Sequence, residues 1–142
     1  MTLQLCDVSA VVGVDAGLDE SSVDDVSQCE DRIVSQWGEV SADAKHQLRD
    51  RVDEILRPLG YETRLLVIDR AKSIALYFMC MTWLAVMRLR HQWCRGQLRI
   101  VVKSLFTFLS GANVSVKRLT WPVDDYKRCL EFFSSSQSKP TI

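Results

Sequence analysis

The fold class this sequence predicts is all-α: a small single-domain bundle of about five helices around a central apolar helix, preceded by an acidic, flexible N-terminal arm. Three observations predict it. Apolar residues recur at helical spacing through several stretches, the segment Glu62 to Trp93 has a centre that is apolar on nearly all sides, and prolines and glycines punctuate the chain between them. A length of 142 residues suits one hydrophobic core, and 47% apolar against 25% charged residues is the balance of a folded chain.

Residues 1–22 read as the arm, because Gly13 and Gly17 interrupt it and its apolar residues are small and scattered. A short strand near Leu3 to Val14 is the alternative there. Residues 23–133 form the helical domain. Val26, Cys29, Ile33, Val34, Trp37 and Val40 fit one helical stripe, which Gly38 weakens towards its end. Ser41 suits the cap of a second helix, with Asp43 in its first turn and Leu48, Val52, Ile55 and Leu56 on one face; Pro58 and Gly60 stop it.

The third helix is the central one, Glu62 to about Trp93. Gly96 bends or breaks the path into a fourth, Leu98 to Leu109, which Gly111 and Asn113 end. Val114 to Leu119 is β-branched at alternate positions and suits an extended segment. A last helix starts near Pro122, with Asp124 and Asp125 complementing its dipole and Tyr126, Cys129, Leu130 and Phe133 forming its stripe. Residues 134–142 read as a disordered tail.

The cysteines, Cys6, Cys29, Cys80, Cys94 and Cys129, are odd in number and widely spaced among apolar residues, the pattern of buried, reduced thiols. Met1 to Val14 has no basic residue ahead of its apolar positions and so lacks the asymmetry of a secretory signal. The expected compartment is cytoplasmic or nuclear. The uncharged run Ile74 to Met87 is short of the roughly 20 residues that a membrane span needs, which makes a membrane partner unlikely on length.

Chemistry is hard to find. His46 and His91 are the only histidines and no CxxC pair occurs; His91 and Cys94 lie one helical turn apart, but further ligands would have to come from distant Cys80 or Cys129. No metal and no cofactor is expected. His91 lacks a nearby acid to orient it as a base, and no G-x-S-x-G, G-x-G-x-x-G or P-loop is present. The adjacent pairs Asp24 with Asp25 and Asp124 with Asp125 would diverge by about 100° on a helix. The expectation is a chain that is not an enzyme.

Charge is segregated instead. Met1 to Asp31 holds acids and no lysine or arginine, whereas no acid occurs between Asp69 and Asp124. Within that basic half, Arg88, Gln92, Arg95, Arg99 and Lys103 would align along one continuous helix, with Arg90, His91 and Trp93 beside them. Such a ridge is either the solvated face of an amphipathic helix or a basic patch for an acidic partner, nucleic acid included. The surplus of apolar residues between Leu65 and Leu84 points the same way, towards a surface completed by another chain.

These features predict a protein–protein adaptor or assembly subunit of a larger complex. It would dock through the apolar helix, with Tyr77, Met81, Trp83 and Leu84 as partner-binding anchors and Arg88, Arg90, Arg95, Arg99 and Lys103 as the basic patch. The second reading is a nucleic-acid-binding helical protein using Arg88 to Lys103. Val116 to Phe133, VKRLTWPVDDYKRCLEFF, resembles the final loop and helix of a histone fold, and that resemblance implies a helical, nucleic-acid-binding chain.

Overall fold

Glu62 to Trp93 is not one helix: in the computed structural model it is an antiparallel hairpin, β2 (Thr63–Arg70) and β3 (Ile74–Cys80), followed by the helix α3 (Trp83–Cys94). The structure describes residues 10–18, 26–42, 47–70 and 73–137, with the side chains of 135–137 excepted. The all-α expectation is therefore overturned, and with it the helical bundle. Ile74, Leu76, Phe78 and Cys80 alternate with more exposed Tyr77 and Met79, the period of a strand, but apolar residues on both faces hide that alternation from the sequence.

The remaining elements are β1 (Ala10–Leu18), α1 (Val26–Ser41), α2 (Gln47–Leu56) with a 3₁₀ turn at Arg57–Leu59, α4 (Gln97–Ser110), β4 (Val116–Thr120) and α5 (Val123–Gln137). The strands form one antiparallel sheet in the order β2-β3-β1-β4. That order, with a helical pair in each crossover, is the split β-α-β-β-α-β arrangement followed by an extra helix.

β1 corrects the flexible arm over residues 10–18: it lies between β3 and β4 near the centre of the sheet and alternates buried with less buried residues along its length. The short strand weighed near Leu3 to Val14 overlaps it. Residues 1–9 and 19–25 of the expected arm and its boundary, and 138–142 of the tail, lie outside the described residues.

One face of the sheet carries the core. Val12, Val14, Ala16, Ile74, Leu76 and Phe78 are sealed beneath Ile33 of α1, Val86 and Leu89 of α3, Leu98, Leu105 and Phe106 of α4, and Phe133 of α5. β4 pairs with β1 only over Asp15–Leu18, which would leave backbone groups nearer the start of β1 unpaired. α5 meets them: the Gly13 N–H donates to Asp125 Oδ2 at 3.3 Å, and the Val11 carbonyl accepts from Arg128 Nη2 at 3.1 Å and the Cys129 thiol at 3.6 Å.

Several boundaries match the expected signals. The 3₁₀ turn contains Pro58 and closes on Gly60 at φ 93°, α4 ends on Gly111 at φ 73°, and Asp124 and Asp125 stand in the first turn of α5. Ser41 is the last residue of α1, not the cap of α2, and its carbonyl accepts from Arg49. Val116–Phe133 is indeed a short strand and a helix, but its strand joins an antiparallel sheet, so the histone-fold alternative falls with the all-α class. Among the described residues no helix is long and apolar enough to cross a membrane.

Candidate protein-interaction surface

Among the described residues no helix seals the second face of the sheet, where Val11, Val67 and Tyr77 are exposed. The register sets Val11 of β1, Met79 of β3 and Arg64 of β2 in one row, and Gly13, Tyr77 and Val67 in the next. Side chains of alternate strand residues share a face, so Val11, Val67, Tyr77 and Met79 form an apolar patch with Arg64 at its edge. Val11, Val67 and Tyr77 are exposed and Met79 half-buried. Gly13 keeps β1 low here: a Cβ at that position would stand 3.4 Å from Tyr77 Cε1.

The patch continues past the end of β3. The Met81 N–H donates to the Glu62 carbonyl at 2.8 Å and extends the ladder by one pair, on the same parity as Tyr77 and Met79. Thr82 then caps α3, its hydroxyl accepting from the Ala85 N–H at 3.1 Å and donating to Glu62 Oε1 at 2.9 Å. This turn fixes the first residues of α3, among which Trp83 is 41% and Leu84 58% exposed. Met87 follows Trp83 by one turn at 36%. Leu84 reaches a small hollow that it shares with Tyr61 and Arg88.

Tyr77, Met81, Trp83 and Leu84, expected on one helix, thus lie on a strand, its extension and a helix start, and all four are exposed. Val67 and Met79 belong to the apolar surplus between Leu65 and Leu84 but not to the expected anchors, and Val11 lies outside that surplus altogether. Their signal was period-two alternation, legible only once β1 and β2 are known to flank β3.

The basic residues fare differently. Gly96, left-handed at φ 83°, separates α3 from α4, so the line from Arg88 to Lys103 is not one continuous ridge. Arg88 on α3, Arg95 in the turn that follows it, and Arg99 and Lys103 on α4 remain exposed, and none enters an ion pair among the described residues. Arg90 is committed internally. Its guanidinium sits 4.4 Å from the ring centre of Trp93, 5.1 Å from that of Trp121 and 4.8 Å from that of Tyr126, and it donates to the Trp121 carbonyl at 2.9 Å. It ties α3 to the start of α5 rather than serving a surface patch.

His91 and Cys94 are exposed on α3, and His46 lies outside the described residues. No cluster of three or more His, Cys, Asp or Glu side chains suited to a metal occurs among the described residues. Burial pushes the Cys80 thiol up to about 12 and raises that of Cys129 as well, so both stay protonated at neutral pH and are poor nucleophiles. The chain matches no protein-family model, no curated protein and no solved structure.

Proposed function

We propose that this chain is a non-enzymatic protein-interaction module, an adaptor or assembly subunit that docks a partner chain through Tyr77, Met81, Trp83 and Leu84. One observation carries the reading: these large apolar side chains stay 37% to 58% exposed, while a separate core is already sealed beneath the sheet. A wide aromatic and a flexible thioether are the side chains that dominate such contacts once desolvated. Arg88 flanks the surface on α3, and with Arg95, Arg99 and Lys103 it favours a partner whose facing rim is acidic.

The test is light scattering on a size-exclusion column for the tagged chain isolated gently from its native source, with and without nuclease. A stoichiometric protein complex should survive nuclease and be lost in Trp83→Ala with Leu84→Ala, while that double variant keeps a cooperative unfolding transition. A complex unchanged by the double substitution removes this surface from the interface. A complex destroyed by nuclease, and by Arg95→Glu with Arg99→Glu, would put nucleic acid in the partner's place.

A further inference from the structure

A cleft of about 740 Å³ opens between the end of α1, α2 and β2, away from Trp83. Among the described residues three arginines line it, Arg49, Arg57 and Arg64, against one carboxylate, Asp53, and Trp37, Val52 and Leu56 add apolar wall. Its floor is the outer edge of the sheet, because among the described residues β2 is the terminal strand.

The direction of the backbone groups on that edge follows from the ladder. The Met81 N–H bonds the Glu62 carbonyl, so Glu62 and Met81 are a hydrogen-bonded pair. In an antiparallel ladder such pairs alternate with pairs whose N–H and C=O point the other way. Counting along the register, Arg64 with Met79 bonds inward, whereas Thr63, opposite Cys80, and Leu65, opposite Phe78, turn both backbone groups outward. Among the described residues no side chain or backbone group is bonded to these outward N–H and C=O groups. The next residue, Leu66, has no partner in the register, and its carbonyl accepts from the Trp37 indole at 3.3 Å, which closes that end of the edge.

We infer that this edge of β2 is a strand-addition site for an extended, acidic peptide segment of a partner protein. An added strand would satisfy the outward groups of Thr63 and Leu65. Its side chains alternate, so those turned into the cleft meet Arg49 and Arg57 over Val52 and Leu56, and those on the other side pass Arg64. The surplus of arginine selects acidic side chains. It also disfavours a second copy of this chain, since antiparallel pairing of β2 with β2 through Thr63 and Leu65 would set Arg64 against its own counterpart.

The experiment uses synthetic nonapeptides and the whole chain. The probe is an acetylated peptide of alternating Glu and Val; the controls are its Lys and Val counterpart, the Glu and Val peptide N-methylated at alternate residues, and a single-stranded oligothymidylate. The Glu and Val peptide should bind saturably by fluorescence anisotropy, and slow hydrogen exchange of the Thr63 and Leu65 amides by at least about tenfold. Affinity should fall about tenfold or more, about 1.4 kcal/mol, with each control and in Arg57→Glu with Arg64→Glu. Both arginines are exposed, so the reversed variant should fold.

Equal binding of the N-methylated peptide, unchanged exchange at both amides, absence of saturable binding, or preferential binding of the oligothymidylate would each overturn the inference. Trp83→Ala with Leu84→Ala should leave peptide affinity intact. Failure here is therefore distinct from failure of the docking surface proposed above.

Discussion

β3 presents two faces built from the same kind of residue and put to opposite use. Ile74, Leu76, Phe78 and Cys80 are at most 1% exposed beneath the helices, while Tyr77 and, just beyond the strand, Met81 are each 37% exposed on the open side. The hydrophobic effect explains the first set, since each buried side chain stabilises the fold by roughly 1.5–3 kcal/mol. It gives no reason for the second. The contrast teaches that an apolar run in a sequence reports burial only when the neighbours that cover it are known.

The sharpest way to break the contrast is to remove one ring from the sealed face. Phe78→Ala should cost about 3–5 kcal/mol, since Phe78 is 1% exposed and its neighbours cannot collapse fully into the space. Urea unfolding followed by tryptophan fluorescence measures it. A cost near that of a surface substitution would mean that the inner face is not the core.

A second effect, smaller and dependent on pH, lies where α1 meets the end of β2. Arg70 pairs with buried Glu30 at 3.1 Å and with exposed Asp31, and also reaches Ser27. Burial raises the Glu30 carboxyl above its ordinary value; the Arg70 cation lowers it, and the nearby Asp31 charge raises it. A carboxyl raised in the folded state favours folding when protonated. That contribution is complete below the unfolded value, about pH 4, and is lost as pH rises through the folded one.

Arg70→Ala removes the cation that opposes this loss. Because the Arg70 side chain is itself 33% exposed, the expected destabilisation at pH 7 is about 2 kcal/mol, below the 3–5 typical of a fully buried pair. It should shrink towards pH 4 as Glu30 takes up its proton. An equal cost at both pH values would show that the lost contacts, not the buried charge, account for the change.

How much of this was legible depends on how local each signal is. α4, α5 and β4 were readable because Gly111, the Asp124–Asp125 pair and the alternating Val114–Leu119 act within a few residues. The β2–β3 hairpin was not. Its central strand bears Tyr77 and Met79 on the open face as well as Leu76 and Phe78 on the closed one, and a strand apolar on both faces has no visible period. β1 was obscured for a related reason, since Gly13 and Gly17 lower its hydrophobicity while lying where Tyr77 and Arg118 cross the sheet.

The candidate site was legible in the same uneven way. Aromatic and thioether residues crowding one segment pointed to Tyr77, Met81, Trp83 and Leu84, and burial elsewhere leaves all four accessible. Arg90 could not be told from its exposed neighbours, because two of its ring partners, Trp121 and Tyr126, are distant in the chain. The cleft draws Arg49, Arg57 and Arg64 from α2, a turn and an edge strand, and no spacing in the sequence announces that meeting.

The smallest expected effect tests the open side of the comparison most directly. Leu84 is 58% exposed, so most of its apolar area is in water in the folded as well as the unfolded chain, and truncating it returns little hydrophobic free energy. Leu84→Ser should therefore change stability by about 0.5 kcal/mol or less, with Leu89→Ala on the buried side of the same helix costing about 2–5 kcal/mol as the internal reference. Thermal unfolding of both variants at one concentration gives the ratio. If Leu84→Ser were instead to match Leu89→Ala, Leu84 would have to be packed in the isolated chain. The exposed start of α3 would then belong to the core, and its availability to a partner would be lost with it.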